Sequence, residues 1–272
     1  MKRLVVGYLT YINEVNGKKR LEDFKNSLKS ISLLKNEKVE FVSIDNDSLK
    51  EVKETLLASK IFAKHFHYDQ NYFDVALFYT TAWYAEKISA DYSCFLYDDF
   101  IAYDNAFEDI IEFMDINPDV SCTRIPAYDF KNQRQFDPDF TPKSINPDSV
   151  RHKNNVTNET LVWQGPFEVN THTFYKNNWH YTSRPTVWRT DLLNKVLKSQ
   201  GHTSAVLQGF EGWAGKAFQK ESLVVGVLDK GMVKTTPVVN SARGLEILPS
   251  KEITLKVDLE NLRSSCNSVI DK

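Results

Sequence analysis

The sequence is short of cysteine, of long apolar runs and of net charge, and each shortage removes a class of protein. Three cysteines in 272 residues, Cys94, Cys122 and Cys266, stand too far apart for a disulfide framework or a zinc cluster. A reducing compartment suits them, so a cytoplasmic location is the expectation. No uninterrupted apolar stretch approaches the ~20 residues that cross a bilayer, so no membrane span is expected. The start MKRLVVGYLTY meets Asn13 and Glu14 too soon for a secretory signal and reads instead as a first strand. Internal repeats and low-complexity segments are also missing, which excludes solenoids and linker-like tracts. What is left has ordinary globular composition, 42% hydrophobic and 26% charged. Its length fits one large domain or two small ones, with enough core to need no staples.

The net charge of -2 conceals an asymmetry. Between Glu40 and Val120 there are 17 acidic and 5 basic residues; between Ser121 and Thr190 there are 6 acidic and 9 basic, with three histidines added. Solvated helix faces account for part of this, and different ligands on the two halves for the rest.

The first 120 residues alternate between two periods. LVVGYLT (Leu4–Thr10) is a buried strand, and Leu21, Phe24, Leu28, Ile31 and Leu34 then mark one face of a helix. Val39–Ile44 is a second strand closed by Asp45-Asn46-Asp47-Ser48. Ser48 with Glu51 has the form of a capping box, opening a helix that carries Leu49, Val52, Leu56 and Ile61 inward. A helix from about Asn71 to Ile88, a strand Ser93–Leu96 and a helix capped by Asn105 and Glu108 follow. Such alternation predicts βαβ units and a mainly parallel sheet. Ligands of such sheets sit beyond the carboxyl ends of the strands, which selects Thr10–Glu14, Asp45–Ser48 and Tyr97–Asp99. After the strand Val120–Ile125, about 60 residues carry no clear period but many aromatics, the mark of an ordered irregular wall. Thr190 then caps a helix, Gly209–Gln219 reads as loop into helix, and Leu223–Leu228 and Met232–Val239 are strand-like.

Asp98-Asp99 at a strand end are costly to bury without a cation, and a hard divalent ion shared with phosphate oxygens supplies one. A solvated turn is the plainer role. Asp45 can accept from a nucleobase N–H or a ribose hydroxyl; an Asx-turn with the Ser48 cap accounts for Ser48 and Asp47 but not for Asp45.

In their order these pieces resemble the GT-A glycosyltransferases, particularly the large inverting family of bacterial polysaccharide enzymes, over roughly residues 3–240. Thr10-Tyr11-Ile12-Asn13-Glu14 is similar to the loop after the family's first strand, and Asp45-Asn46-Asp47-Ser48 to its base-holding turn. Phe95-Leu96-Tyr97-Asp98-Asp99 resembles its metal-binding signature. Trp188-Arg189 resembles its aromatic-Arg pair, and Gly209-Phe210-Glu211-Gly212-Trp213 its catalytic segment. The departures are Tyr97 in place of a first carboxylate, an Asn71–Ile88 helix without the Arg and Asn that many members place against the diphosphate, Gly212 where a base Asp is common, and Val239-Asn240-Ser241 without the usual histidine. His172, His180 or His202 could replace that histidine only if the fold brings one close.

The resemblance implies an α/β GT-A (Rossmann-like) fold: a mainly parallel sheet flanked by helices, with an irregular acceptor-side half. It implies a single domain over 1–272, with a nucleotide-sugar half at 1–118, an acceptor half at 119–245 and an extension at 246–272. The implied reaction moves a sugar from a nucleotide-sugar donor (a UDP-sugar favoured, GDP or another possible) to an acceptor hydroxyl, with inversion. The acceptor is a glycan, a lipid-linked sugar or a nucleic acid. Thr10, Tyr11, Asn13, Asp45, Asp47 and Asp98 would contact the nucleotide, Asp98 and Asp99 would hold Mn²⁺ or Mg²⁺, and Glu211 would be the base. Trp163, Trp179, His180 and Trp213 would line the acceptor side. Two rivals remain: a sugar-nucleotide nucleotidyltransferase, which wants a Gly-rich basic loop straight after the first strand, and a non-catalytic sugar- or nucleic-acid-binding module on the same fold.

Overall fold

The computed structural model describes residues 3–14, 17–126, 160, 162–178, 185–199, 204–206, 223–235, 256–258 and 268–271. The first part of the chain alternates β1 (Leu4–Thr10), α1 (Gly17–Ile31), β2 (Val39–Asn46), α2 (Lys50–Ala58), β3 (Phe62–Tyr68), α3 (Phe73–Lys87) and β4 (Tyr92–Tyr97). Then come β5 (Phe100–Ala102), α4 (Phe107–Ile116), β6 (Val120–Arg124), β7 (Gln164–Val169), β8 (His172–Asn177), β9 (Thr186–Arg189) and α5 (Thr190–Ser199). The remaining described strands are β10 (Ser204–Val206), β11 (Val224–Leu228), β12 (Val233–Thr235), β13 (Lys256–Asp258) and β14 (Ser268–Asp271). The Gly209–Gln219 reading lies outside the described residues.

Ten strands form one sheet in the order β14-β3-β2-β1-β4-β9-β6-β11-β8-β7. The β3-β2-β1-β4 stretch is parallel throughout, and β6 pairs parallel with β11. β9 enters antiparallel between β4 and β6, so β6 keeps the direction of β1. The sheet is therefore mixed around a parallel core. β8, β7 and β14 add antiparallel pairs toward its edges.

Alternation along each central strand divides the core in two. Val5 and Leu9 of β1 join α3 and α5 on one face, with Phe95, Trp188, Val225 and Val227. Leu4, Val6 and Tyr8 join α1, α2 and α4 on the other, with Cys94, Leu96 and Val187. This period of two makes a three-layer sandwich. Phe78 stacks on Phe95 at 3.9 Å across the first face, and Phe113 on Phe174 at 4.4 Å across the second. Gly7 sets how closely α3 approaches β1: a Cβ there would run into the Thr81 hydroxyl oxygen and lie 3.0 Å from Leu77 Cδ1.

Several elements differ from the sequence reading. The Ser48–Glu51 capping box does not form: α2 opens at Leu49 without a side-chain cap, and the Ser48 hydroxyl accepts the Ile12 N–H instead. α2 stops at Ala58, so Ile61 is not on its face but leads into β3. β3 (FAKHFHY) was hidden because two histidines and a lysine break its apolar pattern, yet His65 is fully buried with Nδ1 2.8 Å from Ser43 Oγ. Asn105 does not serve as the N-cap of α4, which is Ala106, though its side chain accepts from Phe107 N at 3.3 Å. Among the described residues after Ile125, the β7–β8 hairpin and β9 are regular strands; the rest of that segment lies outside the described residues.

Polar ties fasten the layers at the amino-terminal edge of the sheet. Arg3 donates to Asp115 at 2.6 and 2.9 Å and to Asp91 at 2.7 Å, and the Tyr92 hydroxyl donates to Asp115 at 2.7 Å. Arg189 closes α4 by donating to the carbonyls of Met114 (2.5 Å) and Asn117 (3.3 Å), and ties it to β6 through Val120 O (2.8 Å). The Arg3 hydrogen bonds, ahead of an opposing effect of burial, hold the Asp115 carboxyl below the usual carboxylate range. A carboxylate lowered in this way adds stability above about pH 4, its unfolded value, and loses it as pH falls further.

Two outcomes follow from this packing. Gly7→Ala should lower stability by about 1–3 kcal/mol, and Thr81→Ala in the same chain should restore part of it, read by denaturant unfolding. Asp115→Asn should cost only about 1 kcal/mol at pH 7, because the pair is partly exposed, at 33% and 38%, and the gap to wild type should close as pH falls below about 4.

Candidate functional site

The strand order turns back at β1: β2 and β3 lie to one side and β4 to the other. In open α/β sheets this reversal leaves a crevice beyond the strand carboxyl ends. Here the crevice lies between the loop after β1, which leads into α1, and the Asp98-Asp99 turn after β4.

The loop is stitched to the turn after β2. Thr10, fully buried, donates its hydroxyl to Asp45 Oδ1 at 3.3 Å. Asp45 also accepts the Ser48 N–H, three residues on, at 3.2 and 3.4 Å to its two oxygens, which closes the turn after β2. Ser48 Oγ accepts from Ile12 N at 3.1 Å, and Leu49 N donates to Ile12 O at 2.8 Å. His67 Nδ1 lies 3.5 Å and Lys53 Nζ 3.9 Å from Asp45 Oδ2. Asp45 is thus fully buried and holds the turn after β2 to the loop after β1. Asp47, in the left-handed region at φ 62°, is exposed and pairs with Lys53 at 2.9 Å.

The opposite wall is charged. Asp98 N donates to Leu9 O at 3.0 Å, which continues the β1–β4 pairing and turns the carboxylate toward the loop. Tyr11 N donates to Asp98 Oδ2 at 3.3 Å, Arg20 Nη2 donates to Asp98 Oδ1, and Arg20 Nη1 donates to Tyr11 O at 2.8 Å. Asn13 Nδ2 donates to the Tyr11 hydroxyl at 3.2 Å. Burial pushes the Asp98 carboxyl up to about 7, with Arg20 pulling it down and Asp99 adding to the rise. Burial raises Asp99 too, against Arg20 and together with Asp23. Below them Tyr8 donates to Ser27 Oγ at 2.9 Å, and Ser27 donates to Phe100 O at 2.5 Å.

The structure brings Thr10, Tyr11, Asn13, Asp45, Asp98 and Asp99 to one rim. Trp163 lies elsewhere, just before edge strand β7, packed against the core with its ring edge-on to Tyr175 at 6.2 Å. Glu211, Trp213, Trp179, His180 and His202 lie outside the described residues. His172 does not supply a metal-binding histidine: its Nδ1 is 2.7 Å from Asp109 and its Nε2 3.3 Å from Asp104. Among the described residues no three His, Cys, Asp or Glu side chains cluster to hold an ion. The donor set that remains for a divalent ion is the Asp98-Asp99 pair, oxygen ligands of the hard type that Mn²⁺ or Mg²⁺ takes alongside phosphate oxygens. Both Asp98 oxygens already accept hydrogen bonds, whereas the partly exposed Asp99 side chain accepts none from another described residue.

Arg20, His67 and Lys53 were not singled out from sequence as site residues. Arg20 had a signal: the first turn of α1 carries Lys18, Lys19 and Arg20 and no acid, against the preference of a helix amino terminus. His67 and Lys53 had none, since their place depends on the β2–β3 register and on α2.

No family model and no curated protein sequence matches the chain. Solved structures do match. Residues 1–349 of S. aureus TarS in complex with UDP share 15% identity, with a TM-score of 0.52, over 86% of this chain and 60% of that one. The same protein with UDP-GlcNAc gives 15% identity and 0.51, over 86% and 58%. The mannosyltransferase PcManGT from Pyrobaculum calidifontis, with GDP-Man and Mn²⁺, gives 11% and 0.50, over 88% and 56%. The chain spans about three fifths of the length of these structures. No helix among the described residues is long and apolar enough to cross a membrane. At such identities the likeness is one of fold, and the fold is that of the GT-A glycosyltransferases.

Proposed function

We propose that the crevice between β1 and β4 binds a nucleotide sugar and that the chain transfers its glycosyl group to an acceptor hydroxyl. The observation that carries this reading is the Asp98-Asp99 pair, two carboxylates kept beyond the strand ends at the point where the sheet order reverses. The shared fold supports it, because TarS has been captured with UDP and UDP-GlcNAc and PcManGT with GDP-Man and Mn²⁺.

In this reading the floor formed by Thr10, Asp45 and the Asp47 turn receives the nucleoside, and Tyr11 and Asn13 border it. Asp99, beside Asp98, would hold Mn²⁺ or Mg²⁺, which when bound supplies positive charge to the leaving diphosphate. Glu211 takes the proton of the acceptor hydroxyl; the freed oxygen attacks the anomeric carbon as its bond to the diphosphate breaks. One displacement of this kind inverts the anomeric centre, and a nucleoside diphosphate leaves. Trp163, Trp179, His180 and Trp213 line the acceptor side, which takes a glycan, a lipid-linked sugar or a nucleic acid. Residues 1–118 form the donor half, 119–245 the acceptor half and 246–272 an extension, and the work is cytoplasmic.

Thermal unfolding against UDP-, GDP-, CMP- and TDP-sugars, with and without Mn²⁺, tests the site. Stabilisation by one nucleotide family, increased by Mn²⁺, is the expected result; silence across the panel rejects donor binding. Stabilisation without donor hydrolysis or transfer identifies a binding module instead. Asp99→Ala should fold normally and lose Mn²⁺-dependent donor turnover by about a hundredfold or more, and unchanged turnover would sink the metal assignment.

A further inference from the structure

We infer that Arg20 is a positioning residue of the donor crevice: with Asp98 it clamps the Tyr11 peptide on both sides, leaving Asp99 as the carboxylate open to the donor. The inference rests on the nucleotide-sugar reading of the site and assigns to Asp98 a bracing role in place of direct ligation.

Three contacts close a ring. Tyr11 N donates to Asp98 Oδ2 at 3.3 Å, Tyr11 O accepts from Arg20 Nη1 at 2.8 Å, and Arg20 Nη2 donates to Asp98 Oδ1. The loop residue on the crevice is therefore held through its N–H and its C=O at once. A guanidinium can do this because its donors diverge in a fixed plane; an ammonium presents a single point of charge. The Tyr11 hydroxyl in turn accepts from Asn13 Nδ2, so the clamp extends to the next polar residue of the loop.

Arg20 is itself fixed from behind. Ser27, two turns further along α1, accepts from Tyr8 of β1 at 2.9 Å and donates to Phe100 of β5 at 2.5 Å. Ser30 accepts from Ala102 N at 2.9 Å. The helix carrying Arg20 is thereby locked to β1 and to the strand that follows Asp98-Asp99, so the guanidinium bridges two elements already held in register.

The energetics favour a positioning role over a simple stabilising one. Arg20 is 15% exposed and Asp98 5%, and a pair so far out of water recovers little more than its desolvation cost. The basic first turn of α1 adds a further local cost against the helix dipole. Buried ion pairs are best attested where they fix one geometry, and the geometry fixed here is that of the loop bordering the crevice. With both oxygens of Asp98 engaged, the charge open to a diphosphate–metal unit is that of Asp99.

The test is a double-mutant cycle on nucleotide affinity, measured by calorimetry with UDP as probe and GDP in a second arm, each with and without Mn²⁺. Arg20→Met and Asp98→Asn should each weaken binding by about tenfold or more, by the same factor with and without Mn²⁺. The double variant should be no worse than the weaker single one, because the two side chains act as one unit. Asp99→Asn should remove only the increment that Mn²⁺ adds. Arg20→Lys keeps the charge and serves where Arg20→Met fails to fold; it should bind as weakly as Arg20→Met, because the fork is lost. Additive losses, Arg20→Lys binding like wild type, or an Asp98→Asn loss confined to the Mn²⁺ arm would each overturn the inference alone. Wild-type protein that binds neither nucleotide would overturn the reading of the site, and the inference with it.

Discussion

The arrangement of the donor-side rim depends on one constraint, a carboxylate buried where β4 ends. Asp98 cannot stay there ionised without a cation and hydrogen bonds, and its raised pKa of about 7 records how costly the position is. Arg20 supplies the cation and Tyr11 the second hydrogen bond. Because Arg20 comes from α1 and Tyr11 from the loop before it, satisfying Asp98 fixes how β1 passes into α1. The same loop is held from the far side, where Ile12 donates its N–H to Ser48 Oγ and accepts from Leu49 N. A single buried charge thus couples the ends of β1, β2 and β4.

The rest of the sheet makes that coupling possible. β1 can lie at the centre of the parallel strands because Gly7 lets α3 press directly against it, and its alternating side chains feed both cores. Beyond β4 the antiparallel β9 separates two parallel groups and brings Arg189 onto the carbonyls at the end of α4. The Trp188-Arg189 pair is therefore explained by packing: Trp188 is fully buried in the α3–α5 core, and Arg189 closes a helix.

Sequence reading recovered what depends on local pattern. β1, β2, β4, the helices, and the rim of Thr10, Asp45 and Asp98 follow from periodicity and from the rule for parallel sheets. It failed where a residue's partner is distant in the chain. Ser48 has the composition of a cap, but its hydroxyl goes to Ile12 across the sheet edge, and Asp45 does the local work. The histidines of β3 look like surface residues until Ser43 and Asp45 are placed beside them. Hairpin β7–β8 has no clean alternation, since β7 is an edge strand exposed along most of its length. The pairing of Arg20 with Asp98 spans 78 positions, and only the basic opening of α1 hinted that its charge is used elsewhere.

The charge asymmetry of the sequence has the same origin. The acidic stretch from Glu40 to Val120 pairs a few carboxylates with its own Lys50 and Lys53 and draws further cations from outside: Arg3 pairs with Asp91 and Asp115, Lys25 with Glu51, Lys176 with Asp119 and Lys198 with Glu86. His172 reaches Asp104 and Asp109 from the β7–β8 turn, and Arg20 reaches Asp98 from α1. A surplus in linear order becomes a set of ties between elements distant in sequence. Most of these ties are exposed and individually weak, so their effect is on arrangement more than on stability. Asp99 differs from the others. It sits beside the buried Arg20–Asp98 pair and shares the field of Arg20, yet its side chain accepts no hydrogen bond from another described residue. With Asp98 engaged by Arg20 and Asp45 and Asp47 by Lys53 and His67, Asp99 is the rim carboxylate that a charge from outside the chain can meet.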